Sequence, residues 1–134
     1  MTEASYAYKA VGGTCKYSAA GSTGLRSTGY VNVAANSSTA MKTALASRPL
    51  SVSIEADKAV FQNYSSGIFS STACGTSLDH AVMVVGYGTS GSTEYWTLRN
   101  SWGTSWGEKG YMRVAITTGA GICGIQMEPL YPTV

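Results

Sequence analysis

The chain has 134 residues, of which 44% are hydrophobic and only 12% charged, and its formal net charge is +2. This length allows one domain with a sizeable buried core. No group of Lys and Arg offers the clustered cations that nucleic-acid phosphates require, so nucleic-acid binding is not expected. No apolar run approaches the roughly 18 residues of a membrane helix, and residues 1–8 lack the basic and apolar parts of a signal peptide.

The three cysteines, Cys15, Cys74 and Cys123, leave at least one without a partner inside the chain. A zinc site is not predicted, because the chain has a single histidine and no C-x-x-C pair, and no cofactor is expected. Two N-x-S triplets, at Asn36 and Asn63, are weak candidates for N-glycosylation, since such triplets often arise by chance. Cysteines and triplets together favour an oxidising compartment.

The first half of the chain predicts turns, one strand and one helix. Residues 5–24 are rich in Gly, Ser and Thr and indicate turns with short extended pieces. Residues 27–35 alternate enough to predict a strand. Residues 37–47 predict the clearest helix, capped by Ser37 or Ser38, with Met41, Ala44 and Leu45 on one face.

Further strands follow. Residues 49–56 alternate strictly, which places Leu50, Val52 and Ile54 on one face and Ser51, Ser53 and Glu55 on the other. Residues 57–67 predict a short helical turn, and the nearly continuous apolar run 81–88 predicts a strand covered on both faces. Two more strands, 94–100 and 110–116, are joined by a link rich in Gly and Trp. The expected architecture is a single domain, 1–134, mainly β with one clear helix, as a twisted antiparallel sheet or a partly closed barrel.

The single histidine, His80, lies just before the apolar strand, and Asn100 ends the next strand. A hairpin at residues 89–93 would bring both to the same edge of the sheet. An Asn carbonyl that accepts from an imidazole N–H fixes the tautomer, as in a nucleophile–His–Asn arrangement. Taken singly, His80 also fits a structural imidazole, and Asn100 a residue that ends a strand in a turn.

The motifs around these two residues carry a family resemblance. The segments "LDHAVMVVGYG", "YWTLRNSWGTSWGEKGYMRV" and "CGIQMEPLYPTV" resemble the C-terminal half of papain-family cysteine proteases, particularly the cathepsin L group. "SYAYKAVGGTCKY" and "RPLSVSIEA" are also similar, so the resemblance covers nearly the whole chain. It implies the papain-like right-hand domain, whose parent fold is α+β.

The resemblance implies roles for residues near the predicted pair. His80 would be the general base and acid, and Asn100 would orient it. Trp102 would shield the His–Asn hydrogen bond from water and border the leaving-group side of the substrate cleft. Trp106 would be a second, structural aromatic.

The family's nucleophile motif, C-G-[SA]-C-[WY], does not occur here, and that Cys precedes the His by roughly 130 residues. We therefore expect the nucleophile in an N-terminal half that these residues do not contain, and an inactive isolated chain. Cys74 and Cys123 match a disulfide pair of the family, whereas Cys15 matches a cysteine whose partner lies in that other half. The alternative is a non-catalytic pseudo-enzyme domain that binds peptides or a partner.

The resemblance also implies a substrate pocket and partners. The pocket for the second residue before the scissile bond would be lined by Ser53, Leu78, Ala81 and Glu128, and the backbone of Asp79 would contact substrate. Glu128 could pair with Arg or Lys there, while the Asp79 side chain is interpreted as solvated. Expected partners are the N-terminal half, peptide or protein substrates and cystatin-like inhibitors, with self-association through the exposed interdomain face. The expected location is lysosomal, vacuolar or secreted.

Overall fold

The computed structural model describes residues 1–134 and divides them into two compact units. The first comprises Met1–Gly29 with Pro132–Val134, and the second comprises Tyr30–Tyr131. The first unit is built from turns and extended pieces, with one 3₁₀ turn at Ala19–Gly21, as its Gly- and Ser-rich sequence predicts. Nearly all of its residues are exposed.

The chain forms seven strands and two helices. The helices are α1 (Ser38–Leu45) and α2 (Ala59–Gln62), and the strands are β1 (Gly29–Asn32), β2 (Leu50–Ile54), β3 (Ile68–Phe69), β4 (His80–Ser90), β5 (Thr93–Arg99), β6 (Tyr111–Ala115) and β7 (Leu130–Thr133). They make one sheet in the order β1-β7-β2-β4-β5-β6-β3. Strands β7, β2, β4, β5 and β6 pair antiparallel in that order, and β3 pairs parallel with β6. The predicted mainly β fold with one clear helix is confirmed, and the sheet is open rather than closed into a barrel.

The core lies on one face of β2 and β4. Leu50, Val52 and Ile54 are at most 1% exposed, as their alternation predicts. Helix α1 packs on β2 and β4 and contributes Met41, which is fully buried. Ser37 is the cap of this helix, because its side chain accepts a hydrogen bond from the backbone N–H of Ala40.

Two expectations about burial are wrong. The apolar run in β4 is covered on one face only: Val82 and Val84 are buried, whereas Met83 is 40% exposed and Val85 37% exposed. The reason is that α1 packs against one side of β4 and leaves the other side open to solvent. Glu55 does not share the outer face of β2, because the strand ends at Ile54 and the Glu55 side chain turns inward, leaving the residue 5% exposed.

A disulfide joins Cys74 to Cys123, the pair that the family resemblance implies. It links the loop before β4 to the turn Ile122–Gly124, while Cys15 is free and exposed. Neither helix is long and apolar enough to cross a bilayer.

Replacing Cys74 and Cys123 by Ala together should lower the free energy of unfolding by about 2–4 kcal/mol, because the bond closes a long loop in the unfolded chain. The two cysteines are 49 residues apart in sequence. Urea denaturation followed by tryptophan fluorescence measures the change. Cys15→Ser is the control and should leave the midpoint unchanged, so equal effects of both variants would contradict the prediction.

Candidate active site

His80 and Asn100 lie side by side at one edge of the sheet. His80 is the first residue of β4, and Asn100 directly follows β5, the next strand of the hairpin. The His80 Nε2 atom lies 2.9 Å from Asn100 Oδ1. Asn100 is only 8% exposed, and its backbone N–H donates to the carbonyl of Gly110 at 3.0 Å, which fixes the end of β5.

The hydrogen-bond partners of Asn100 fix the tautomer of His80. Asn100 Oδ1 also accepts from the backbone N–H of Ser101 at 2.7 Å. An amide oxygen can only accept, so His80 Nε2 carries the hydrogen. The other ring nitrogen, Nδ1, makes no hydrogen bond within the chain, which leaves it available to exchange a proton with a further group.

Trp102 covers this pair. Its ring is stacked on the imidazole of His80, with centroids 5.1 Å apart and planes inclined by 26°. Phe61 meets Trp102 edge-on at 5.7 Å, and Trp106 does so at 5.4 Å. Because these rings exclude water on one side of the imidazole, they strengthen the hydrogen bond to Asn100. Trp102 itself remains 38% exposed and so also offers an apolar surface to a ligand.

The link between β5 and β6 holds the two tryptophans through close backbone packing. Trp106 Nε1 donates to the carbonyl of Gln62 at 2.9 Å, which ties the link to the end of α2. Gly107 has a φ of +56°, and a Cβ there would lie 2.6 Å from the carbonyl oxygen of Tyr111. Only glycine fits this position, which explains part of the Gly content of the link.

An ion pair connects the same link to β6. Arg113 in β6 donates to both carboxylate oxygens of Glu108, at 2.9 and 2.6 Å. Glu108 also accepts from the backbone N–H of Gly67, and Tyr64 donates its hydroxyl to the Gly67 carbonyl. The Arg113 guanidinium lowers the pKa of the Glu108 carboxyl, and burial raises the pKa of Tyr64.

The structure brings some of the predicted pocket residues together. Ser53 in β2 is the direct partner of Ala81 in β4. Leu78 lies against Gly124, where a Cβ would come within 2.6 Å of its Cδ2 atom, and Met127 approaches the same point. Glu128 follows Met127, is exposed and forms no salt bridge. Its participation in the pocket stays a prediction.

Asp79 is more than the solvated neighbour that the sequence predicts. The residue is exposed, but its Oδ1 atom accepts a hydrogen bond from the backbone N–H of Ala56 at 2.7 Å. Its own N–H donates to the carbonyl of Ile54 at 3.0 Å. Both the side chain and the backbone of the residue before His80 are therefore fixed by hydrogen bonds.

A hollow of about 320 Å³ adjoins Asn100 on the open face of β4. It is lined by Ala81 and Met83 of β4, by Ser51 of β2, and by Asn100 with its neighbour Ser101. The Nδ2 group of Asn100 is buried and has no hydrogen-bond partner within the chain. The site is thus open on one side.

The two N-x-S triplets lie at the surface. Asn36 and Asn63 are both exposed. Exposure is required for N-glycosylation, which stays a prediction for both residues.

Sequence reasoning missed two residues near the site. Phe61 touches both Trp102 and Trp106, although it lies in a segment read only as a helical turn. Glu55 is buried, although strand alternation predicts it on the face opposite Leu50. Val60 and Tyr64 share the segment of Phe61, so no sequence signal distinguishes Phe61, and none indicates that the strand ends before Glu55.

Asn100→Ala should expose the Nε2 hydrogen of His80 to exchange with water, because its acceptor is removed. The chain has one histidine, so ¹⁵N-histidine labelling gives a single, unambiguous pair of ring signals. We expect a proton resonance on Nε2 in the parent chain and its loss in the variant. Asn63→Ala, a change at an exposed asparagine, is the control; retention of the resonance in Asn100→Ala would contradict the observed geometry.

The family model described as "Papain family cysteine protease" matches residues 1–133. The chain is 48% identical to vignain from Ricinus communis and 50% identical to cysteine endopeptidase Rep1 from Oryza sativa subsp. japonica. Each of these matches covers 98% of the 134-residue chain. The chain covers only 37% of the first and 36% of the second, about a third of these relatives.

A solved structure agrees with these sequence matches. The bromelain protease from Ananas comosus, determined in complex with the E64 inhibitor, superposes with a TM-score of 0.90 at 43% identity, over 99% of this chain and 62% of that one. The match extends over both units of the chain. The chain belongs to the papain family of cysteine proteases.

Proposed function

We propose that residues 1–134 are the C-terminal half of a cysteine endopeptidase and supply its catalytic His80, its orienting Asn100 and much of the substrate pocket. The observation that carries this proposal is the contact of 2.9 Å between His80 Nε2 and Asn100 Oδ1 beneath Trp102. A non-catalytic binder would not need an imidazole whose tautomer is fixed and whose second nitrogen is free.

Asn100 decides which nitrogen of His80 acts. With Nε2 held by Asn100, proton transfer passes through Nδ1. A cysteine thiolate beside the protonated imidazole attacks the peptide carbonyl, and His80 then gives the Nδ1 proton to the departing amine. In the second step His80 Nδ1 removes a proton from water, which hydrolyses the thioester and restores the thiolate.

The nucleophile is proposed to come from another segment, the N-terminal half of the peptidase. Cys74 and Cys123 are joined in a disulfide, and Cys15 is the free cysteine, for which the family resemblance implies a partner in that other half. The open face of β4, with Met83 and Val85 exposed, gives such a half an apolar surface to cover. When that half is absent, the same face favours self-association.

Substrates and location follow from the same proposal. The ligands are peptides or proteins whose second residue before the scissile bond contacts Ser53, Leu78, Ala81 and Glu128, with Asp79 contacting the peptide backbone. Cystatin-like inhibitors that occupy the same cleft are proposed partners. The disulfide supports a vacuolar, lysosomal or secreted location, and vignain and Rep1 come from plants.

The test joins this chain to the nucleophile-bearing part of vignain. We expect the chimera to hydrolyse a fluorogenic peptide with Phe at the second position before the cleaved bond, and the chain alone to hydrolyse none. His80→Ala should lower kcat/KM of the chimera by at least roughly a thousandfold, because both proton transfers are lost.

Glu94→Gln is the matched control, because Glu94 is an exposed residue paired only with Lys42. Its activity should equal that of the parent chimera. A folded chimera without activity would favour the binding alternative. Activity of the chain alone, sensitive to a thiol-directed inhibitor, would place the nucleophile within these 134 residues and overturn the proposal.

Glu128→Ala in the chimera should selectively harm substrates with Arg at the second position. An unpaired carboxylate in the pocket attracts a guanidinium, and an exposed pair of this kind is worth up to about 1 kcal/mol, or roughly fivefold in kcat/KM. Hydrolysis of the Phe substrate measures the general effect of the substitution. Glu94→Ala is the control, because it removes an exposed carboxylate elsewhere in the chain. Equal losses for Arg and Phe would contradict a role for Glu128 in specificity.

A further inference from the structure

Glu55 is a buried acid that the proposed mechanism does not use. It is the only charged side chain among the buried residues, whose other polar side chains include Asn100 and Gln126. A carboxylate removed from water is costly unless it is paired and hydrogen-bonded. The groups that bind the Glu55 carboxylate therefore identify the segments that it fixes.

The carboxylate of Glu55 holds the loop of residues 75–79. Its Oε2 atom accepts a short hydrogen bond from the backbone N–H of Ser77. A Cβ at Gly75 would overlap the same oxygen, so the loop passes the carboxylate in backbone contact. The backbone N–H of Glu55 donates to the carbonyl of Cys123 at 2.9 Å. One residue thus links the end of β2, the 75–79 loop and the disulfide turn.

The other oxygen of Glu55 faces a cation at the surface. Oε1 lies 3.0 Å from Lys58 Nζ, and the Lys58 side chain is 47% exposed. Hydrogen bonds to Asp57 and Glu55 raise the pKa of Lys58, so it stays charged. Because an ion pair at the surface contributes little, the partly buried bond from the Ser77 N–H to Oε2 is the stronger constraint on the loop.

The 75–79 loop leads directly into the catalytic residue. Leu78 packs on Gly124. Asp79 is hydrogen-bonded to Ile54 and Ala56, and His80 follows as the strand partner of Ile54. Any shift of Ser77 passes through only two residues before it reaches His80.

We propose that Glu55 is a positioning residue: its carboxylate fixes the 75–79 loop, and through the loop it places Leu78 against Gly124 and His80 against Asn100. The placement is a property of the chain itself. Only its consequence for catalysis rests on the function proposed above.

The first experiment measures amide hydrogen exchange and the His80 ring signals of the 134-residue chain. Glu55→Met keeps the length of the side chain and removes the acceptor, which leaves the Ser77 N–H without its partner in the chain. We expect exchange at Ser77 and Asp79 to accelerate at least roughly tenfold, and the Nε2 proton resonance of His80 to broaden.

Two matched variants separate the hydrogen bond from the charge. Glu55→Gln keeps an oxygen for Ser77 and should retain both the slow exchange and the His80 resonance. Lys58→Met removes only the cation and should also retain the slow exchange and the His80 resonance. Glu94→Gln controls for loss of an acidic residue elsewhere.

Parent-like exchange at Ser77 and Asp79 in Glu55→Met would overturn the proposal. Should Glu55→Met fail to fold, Glu55→Gln carries the test, because accelerated exchange there would show that an oxygen acceptor does not hold the loop. In an active chimera, Glu55→Met should lower kcat/KM roughly tenfold while Glu55→Gln restores it. An inactive chimera contradicts the proposed function but leaves the exchange result intact.

Discussion

The hydrogen bond between His80 and Asn100 is the constraint on which the rest of the site depends. It selects one tautomer of the imidazole and leaves Nδ1 as the only ring atom free to transfer a proton. Its two partners are far apart in sequence, at the start of β4 and the end of β5, so the register of one hairpin decides whether they meet. An odd shift of that register would turn one of them to the opposite face of the sheet.

The aromatic residues make this single bond effective. Trp102 stacks on the imidazole, and Phe61 and Trp106 hold Trp102 edge-on. The link that carries both tryptophans is itself fixed, by the bond from Trp106 to the end of α2 and by the ion pair of Glu108 with Arg113. The packing of these rings beside the imidazole limits the access of water to the Asn100 oxygen.

One side of the site is built from the chain, and the other side is open. The hollow beside Asn100 and the exposed Met83 and Val85 belong to this open side. The relatives are about three times as long as this chain, so most of their length lies outside the region that it matches. In the proposed enzyme this chain orients the base, and the other half brings the nucleophile.

The balance between local pattern and tertiary contact differs from residue to residue. The strict alternation of β2 predicted its buried face correctly, because a strand that packs on one side repeats every second residue. The continuous apolar run of β4 predicted two covered faces, and only the packing of α1 on one side shows that a single face is buried. A continuous apolar run therefore does not by itself show which face of the strand is buried.

The sequence by itself determined the mainly β fold and the papain-family resemblance, and this resemblance implied the disulfide partners and the pairing of His80 with Asn100, because all of these residues lie in local motifs. Only the tertiary structure decided that the sheet stays open, that Glu55 is buried, and that its carboxylate holds the loop before His80. Those features arise from contacts between residues distant in sequence, for example between Glu55 and Ser77, and no local pattern of hydrophobicity or charge encodes such a contact.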